Sequence, residues 1–236
     1  MYFGVDVTIR HSEHLFIVGT EEGKIHKCSK AYSGQYLETY TGHHMAVYAL
    51  KWNPFHPRVF ISCSADWTVK IWDHNHSHPI LSFDLGNAVG DVCWAPYSST
   101  VFAAVTRYST LPTPKFMNFI CTQHQILWIL LCIYTKFSDG KVHVFDLAEN
   151  KHEPLCEQKV VKRAKLTHIN FNQTDPIVIV GDDRGCAHSL KLSPNLRKIH
   201  EPRGEDGEIE AHDPIQLQVD KMEKLLQAAD PKPIVA

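Results

Sequence analysis

Sixteen histidines and seven cysteines put metal binding and nucleophilic chemistry first among the options to weigh. The densest imidazole cluster is Asp73-His74-Asn75-His76-Ser77-His78. Alternate side chains of a strand share a face, so this run would offer nitrogens to a divalent metal. It leads straight into Pro79, however, which favours a surface loop, and no further carboxylate or cysteine completes a recognisable ligand set. The cysteines (Cys28, Cys63, Cys93, Cys121, Cys132, Cys156 and Cys186) form no Cys-x-x-Cys pair and are odd in number. Several sit in apolar runs, where a free thiol behaves as a small hydrophobe. Met1 opens no secretory signal, so the expectation is a reducing compartment without a disulfide framework, and the Asn172-Gln173-Thr174 sequon is a chance match. No P-loop, Gly-x-Ser-x-Gly or Rossmann fingerprint appears. Catalytic residues, cofactors and metal ligands are accordingly assigned as none.

Charge narrows the partners. Lys plus Arg number 24 against 26 Asp plus Glu, a net charge of -2 that gives no reason to expect nucleic acid or a membrane surface. The basic group Lys159, Lys162, Arg163, Lys165 reads as a solvated loop. Hydrophobic residues at 44% and charged residues at 21% are ordinary for a soluble globular chain. The histidines and tryptophans are thus left to the elements that hold them, and those elements repeat.

Four segments share an apolar run, a tight polar turn and an alternating strand: Leu15–Cys28, Val59–Asp73, Val101–Thr106 joined to Ser138–Asp146, and Ile177–Leu192. Gly23, Trp67, Gly140 and Gly185 hold the same place in the turn, at separations of 44, 73 and 45 residues. Glycine there suits a hairpin that needs a positive φ. Each hairpin follows another strand candidate (Val5–Arg10, Ala46–Trp52, Ala88–Trp94, Lys165–Phe171), and three precede a fourth (Gln35–Tyr40, Pro79–Leu85, Pro154–Val160). Four strands per unit of about 40–45 residues is a β-propeller blade. The expected fold class is all-β, an incomplete propeller of about four blades.

The second unit resembles the WD family by residue, with Gly42-His43 in place of that family's Gly-His pair and Trp72-Asp73 in place of its Trp-Asp pair. The resemblance implies a buried hydrogen-bond relay through His43, Ser62, Asp66 and Trp72, which would tie a loop to the central hairpin and would be structural. The stretches at 62–74, 89–106, 139–147 and 180–198 look like the C-terminal blades of an axonemal dynein intermediate chain, and 18–33 fits the blade before them. That family implies a non-catalytic scaffold of the outer dynein arm in motile cilia and flagella, supporting arm assembly and motility. Its implied partners are a dynein heavy chain, a second dynein intermediate chain, dynein light chains (mainly through an N-terminal region absent here) and, indirectly, the axonemal microtubule doublet. The implied location is the axoneme, with cytoplasm during pre-assembly. An intermediate chain of cytoplasmic or intraflagellar-transport dynein, or another protein-interaction propeller, is the alternative.

The expected layout is a partial propeller over 1–198, with blades at about 2–40, 41–85, 86–160 and 161–198, then a linker at 199–212 and a helical tail at 213–236. About seven blades are usual in the WD family, so the chain reads as a fragment of a longer subunit. The outlying separation of 73 is explained by an inserted segment at 107–137, apolar and free of acidic residues; its removal restores an interval of 42. Its uninterrupted apolar part, Ile126–Tyr134, is far shorter than the roughly 20 residues a membrane helix needs. In the tail, Asp213-Pro214 offers an N-cap and a first-turn proline. Ile215, Val219, Met222, Leu226 and Ala229 then form one apolar helical stripe. That stripe either packs on the propeller or, through Ile215, Val219, Met222 and Leu226, docks a partner subunit.

Overall fold

The computed structural model describes residues 2–6, 14–32, 34–107, 140–162, 164–197 and 213–229. They build four antiparallel sheets, each a meander in chain order, and one helix. The first sheet contains β1 (Tyr2–Asp6), β2 (Leu15–Thr20), β3 (Ile25–Ser29) and β4 (Glu38–Tyr40). The second contains β5 (Val47–Trp52), β6 (Val59–Ser64), β7 (Thr68–Asp73) and β8 (Leu81–Asp84). The third contains β9 (Val89–Trp94), β10 (Val101–Thr106), β11 (Lys141–Asp146) and β12 (Cys156–Lys159). The fourth has β13 (Leu166–Phe171), β14 (Ile177–Asp182) and β15 (Ala187–Lys191), followed by a 3₁₀ turn at Pro194–Leu196. Helix α1 spans Pro214–Ala229.

The first strands of the sheets lie against one another in order, β1 by β5, β5 by β9 and β9 by β13. The result is a propeller-like arc and not a closed ring. Sequence explains why the seams fill. Alternate residues of a strand point to opposite faces, so each central strand serves two seams. On β6, Phe60 joins Ile17, Tyr40 and Trp72 between the first two sheets, while Val59, Ile61 and Cys63 pack into the next seam. On β10, Phe102 and Ala104 meet the second sheet, and Val101, Ala103 and Val105 meet the fourth. Both strands are buried at every position, which is why they read as unbroken apolar runs. On β14 only Val178 and Val180 find such a seam, and Ile179 on the other face is 48% exposed.

The hairpin turns carry the positive φ anticipated for glycine at Gly23 (87°) and Gly185 (83°). At the same place in the second sheet Trp67 adopts φ 73°, a left-handed conformation that costs an L-residue with a side chain roughly 1–2 kcal/mol. Its carbonyl accepts the Leu85 N–H at 2.9 Å, closing the turn against the end of β8.

The outer strands are shorter than the sequence suggested. β8 begins at Leu81 and β12 at Cys156, each a short way past a proline that has no N–H for the ladder. β4 begins at Glu38 because Ser29 and Tyr32 pair first and turn the chain. The first strand is Tyr2–Asp6 rather than Val5–Arg10, whose later residues lie outside the described set. Apart from Arg107, the segment 107–137 also lies outside it, as do Asp139, Arg163, Cys121, Cys132 and the linker 199–212.

Candidate functional site: the second-sheet relay and the helix beneath it

The chain between β4 and β5 presents His43; β6 presents Ser62, the β6–β7 turn Asp66, and β7 Trp72. The structure brings all four together. Asp66 is a carboxylate and only accepts, so the His43 Nδ1–H donates to its Oδ2 at 2.9 Å. The other ring nitrogen then accepts the Ser62 hydroxyl at 2.7 Å. Ser62 in turn accepts the Trp72 Nε1–H at 2.8 Å. Asp66 also takes the His44 backbone N–H at 3.0 Å, which pins the loop to the hairpin. Burial opposes the Asp66 charge, but the hydrogen bonds from His43, Thr68 and His44 outweigh it and hold the carboxyl well below its usual range. For His43 burial wins over the Asp66 attraction, and its pKa falls. The neutral ring in this tautomer is therefore fixed by its surroundings.

Thr68 is a fifth member that sequence reasoning missed. Its hydroxyl donates to Asp66 Oδ1 at 2.6 Å and sits 3.1 Å from His43 Nδ1. A hydroxyl two residues beyond Asp66 at the start of β7 was the available signal. Gly42 is required by packing, because a Cβ there would come within 2.9 Å of the Trp72 ring. Trp72 stacks on Phe60 with centroids 5.8 Å apart, and Tyr40 meets both rings edge-on. In the fourth sheet Asp182 is tied to its own hairpin, accepting from the Arg184 and Cys186 N–H groups and lying 3.2 Å from His188 Nε2. There Asp183 bonds the Lys165 N–H at 3.0 Å, keeping the loop tie without a histidine.

The opposite rim carries α1. Met222 and Leu226 are buried among residues of the second and third sheets, Val219 is half-buried, and Ile215 is 47% exposed. Gln218 accepts the Ser99 N–H through its side chain at 3.0 Å and the Ser99 hydroxyl through its carbonyl at 2.7 Å. Glu223 accepts from Arg58 and lies 3.0 Å from His56 Nε2. Arg58 also reaches Asp73, with Nε 3.9 Å from Oδ2. The Trp-Asp pair thus has two arms, Trp72 toward the loop relay and Asp73 toward the helix. The N-cap forms as well, with Asp213 accepting the Ile215 N–H at 3.1 Å.

The concave side of the arc holds a cleft of about 780 Å³ lined by Lys51, Asp91, Cys93, His168, Asn170 and Phe171, among others. Two of its polar pairs hold strands together. Asp91 accepts the Ile169 N–H at 3.0 Å across the seam, and Cys93 donates to Asn170 at 3.4 Å. Burial, against the backbone hydrogen bonds from Ile169 and Val92, raises the Asp91 pKa. Among the described residues no group of three or more His, Cys, Asp and Glu is placed to hold a metal ion. His76 and His78 have ring centroids 5.9 Å apart, and the His74 Nδ1 faces the Lys27 ammonium at 3.1 Å. No described helix is long and apolar enough to cross a membrane.

Residues 34–73 match the family model "WD domain, G-beta repeat". The match runs from before β4 to the end of β7, so one sequence repeat supplies the outer strand of the first sheet and three strands of the second. "Dynein intermediate chain 2, ciliary" of Heliocidaris crassispina is 56% identical over 220 residues, 92% of this chain and 26% of that protein. The present chain is thus a homologue of axonemal dynein intermediate chains. To "Dynein, 78 kDa intermediate chain, flagellar outer arm" of Chlamydomonas reinhardtii this homologue is 49% identical over 80% of its length and 24% of the relative's. To "Dynein axonemal intermediate chain 1" of Bos taurus it is 51% identical over 92% of its length and 26% of the relative's. The chain spans about a quarter of the length of these curated relatives. In fold it is similar to the computationally designed Ika4 protein, with a TM-score of 0.56, 16% identity, and coverage of 82% of this chain and 92% of that one.

Proposed function

We propose that this chain is a non-catalytic WD-repeat scaffold of axonemal outer-arm dynein, acting by protein binding in the cilium or flagellum. The observation that carries the reading is identity of 49–56% to ciliary and flagellar intermediate chains over most of the chain. The proposed contacts are a dynein heavy chain and a second intermediate chain, with light chains and the microtubule doublet reached through the assembly. His43, Ser62, Asp66 and Trp72 serve here as scaffolding. Their polar atoms are consumed by one another, which leaves no nucleophile and base facing a common substrate position. A rigid arc suits binding because surface that is already ordered loses little entropy on association. Met222 and Leu226 serve the fold, and Ile215 leaves part of α1 for a partner.

The test is affinity purification of the tagged chain from ciliated cells, with detergent-extracted axonemes imaged in parallel. Recovery of a dynein heavy chain and a signal that resists extraction are expected. A chain recovered free and wholly extractable overturns the reading, and recovery with a cytoplasmic or intraflagellar-transport heavy chain moves it to that dynein.

A further inference from the structure

The first strand of every sheet carries one residue that the pairing skips: Gly4, Tyr48, Gly90 and Thr167. Such bulges bend a strand and re-aim a side chain. All four lie near the start of their strands, on the rim that holds the relay. Tyr48 is the aromatic among them, and Arg107 at the end of β10 reaches its ring.

The Arg107 backbone N–H donates to the Ala88 carbonyl at 2.7 Å, which carries the β9–β10 pairing one step further and fixes the root of the side chain. The guanidinium carbon lies 4.1 Å from the Tyr48 ring centroid, close enough for a cation–π contact. Gly90 leaves the space for it, since a Cβ there would come within 3.1 Å of Arg107 Cγ and Nε. Arg107 is half-buried, and its Nε is buried with no hydrogen-bond partner among the described residues. A partly desolvated cation costs free energy unless an anion meets it, and one aromatic face offsets only part of that cost.

Carboxylates on this rim of the second to fourth sheets are committed to the chain itself. Asp66 belongs to the relay, and Asp84 accepts the Gly86 N–H at 2.9 Å. Asp91 accepts the Val92 and Ile169 N–H groups at 2.8 and 3.0 Å, and Asp183 accepts that of Lys165 at 3.0 Å. The cations Lys162 and Lys165, on the loop that leads into β13, are exposed.

We propose that the rim at Tyr48 and Arg107 docks an acidic segment of a partner protein, with a glutamate or aspartate carboxylate seated on the Arg107 guanidinium. The planar guanidinium matches a carboxylate fork, and Lys162 and Lys165 draw in the acidic residues beside it. A nucleic acid is the poorer occupant, because the net charge of -2 repels a polyanion.

The test is fluorescence anisotropy of the full chain with the labelled peptide Gly-Glu-Glu-Gly-Glu-Glu-Gly, against a control in which Gln replaces every Glu. The Glu peptide should bind, less tightly as salt rises, and the Gln peptide should not. Arg107→Gln should weaken binding about tenfold, the worth of one charge-assisted hydrogen bond, and Arg107→Lys by less. Lys191→Gln removes the same charge from exposed β15 and should leave binding unchanged. Circular dichroism checks that each variant folds. Equal binding of the two peptides, equal loss in Arg107→Gln and Lys191→Gln, or no binding overturns the proposal. So does tighter binding of an oligothymidylate, or binding that appears only in Asp139→Asn, which would make the chain's own carboxylate the occupant.

Discussion

Replacing Ser62 with alanine removes one oxygen and strands two partners. Ser62 and Trp72 are fully buried, and the His43 side chain is 0% exposed. Without the hydroxyl, the Trp72 N–H and the His43 Nε2 each lose the hydrogen bond they make at 2.8 and 2.7 Å. A buried polar group left unpaired costs about 1–3 kcal/mol, so the expected loss is about 3 kcal/mol. For a chain of this size that lowers Tm by roughly 6–12 °C. The assay is urea and thermal unfolding followed by near-ultraviolet circular dichroism, where Trp72 reports directly. A double-mutant cycle with Trp72→Phe sharpens it. The phenyl ring keeps the stack on Phe60 but carries no donor, so its cost should shrink by about 1 kcal/mol in the Ser62→Ala background. A Ser62→Ala cost below about 1 kcal/mol, with strict additivity in the cycle, would refute the relay as a stabilising unit.

Other predictions follow from packing, protonation and the helix. Gly23→Ala and Gly185→Ala share nearly the same φ, but a Cβ on Gly23 would lie 2.5 Å from the His43 carbonyl oxygen and one on Gly185 meets nothing within 4 Å. Gly185→Ala should therefore cost about 1–2 kcal/mol for conformation alone, and Gly23→Ala distinctly more; equal urea midpoints would deny the clash. Burial lowers the pKa of His43 and His56, so below the unfolded value of about 6.5 the unfolded chain binds more protons. Stability should fall as pH drops from there, by up to about 1.4 kcal/mol per pH unit for each histidine that stays neutral. The depressed Asp66 pKa adds stability that is complete above about pH 4 and lost as pH falls further. Urea midpoints at pH 8, 6 and 5 measure the first part, and a flat profile contradicts it. Glu223→Gln weakens the contact to Arg58 by about 1 kcal/mol, and Met222→Ala removes more. Both should speed hydrogen exchange in α1 while β6 and β10 stay protected; uniform loss of protection would mean that the helix is integral to global folding.

Much of the architecture was legible because it is written twice over. The turn residues Gly23 and Gly185 mark hairpins by their spacing, and runs such as VFISCS and VFAAVT mark strands buried on both faces. Trp67 was legible only by position, since nothing in a tryptophan announces a left-handed turn. The relay was visible only through the resemblance of the second unit to the WD family, whereas Thr68 was masked by the ordinary strand propensity of threonine. The stripe on α1 was equally plain, but periodicity says that a helix has an apolar face and not what the face meets. That answer depends on His56, Arg58 and Ser99, more than a hundred residues away in sequence. The cross-seam bond from Asp91 to Ile169 is similarly non-local.

The offset between sequence repeat and sheet has a mechanical consequence. Because β4 and β5 to β7 belong to one matched unit but to two sheets, the chain is laid like overlapping brickwork. Tension on the loop at 41–46 pulls along the ladder of β4 with β3 and of β5 with β6 together, in shear, so their hydrogen bonds resist collectively instead of unzipping one at a time. The same overlap means that a cut between two sheets splits a repeat, whereas removing one whole repeat, β4 to β7, brings β8 next to β3 in the chain as an outer strand for the first sheet. Growth or loss by whole units therefore preserves the weave, and a cut at any other point frays it.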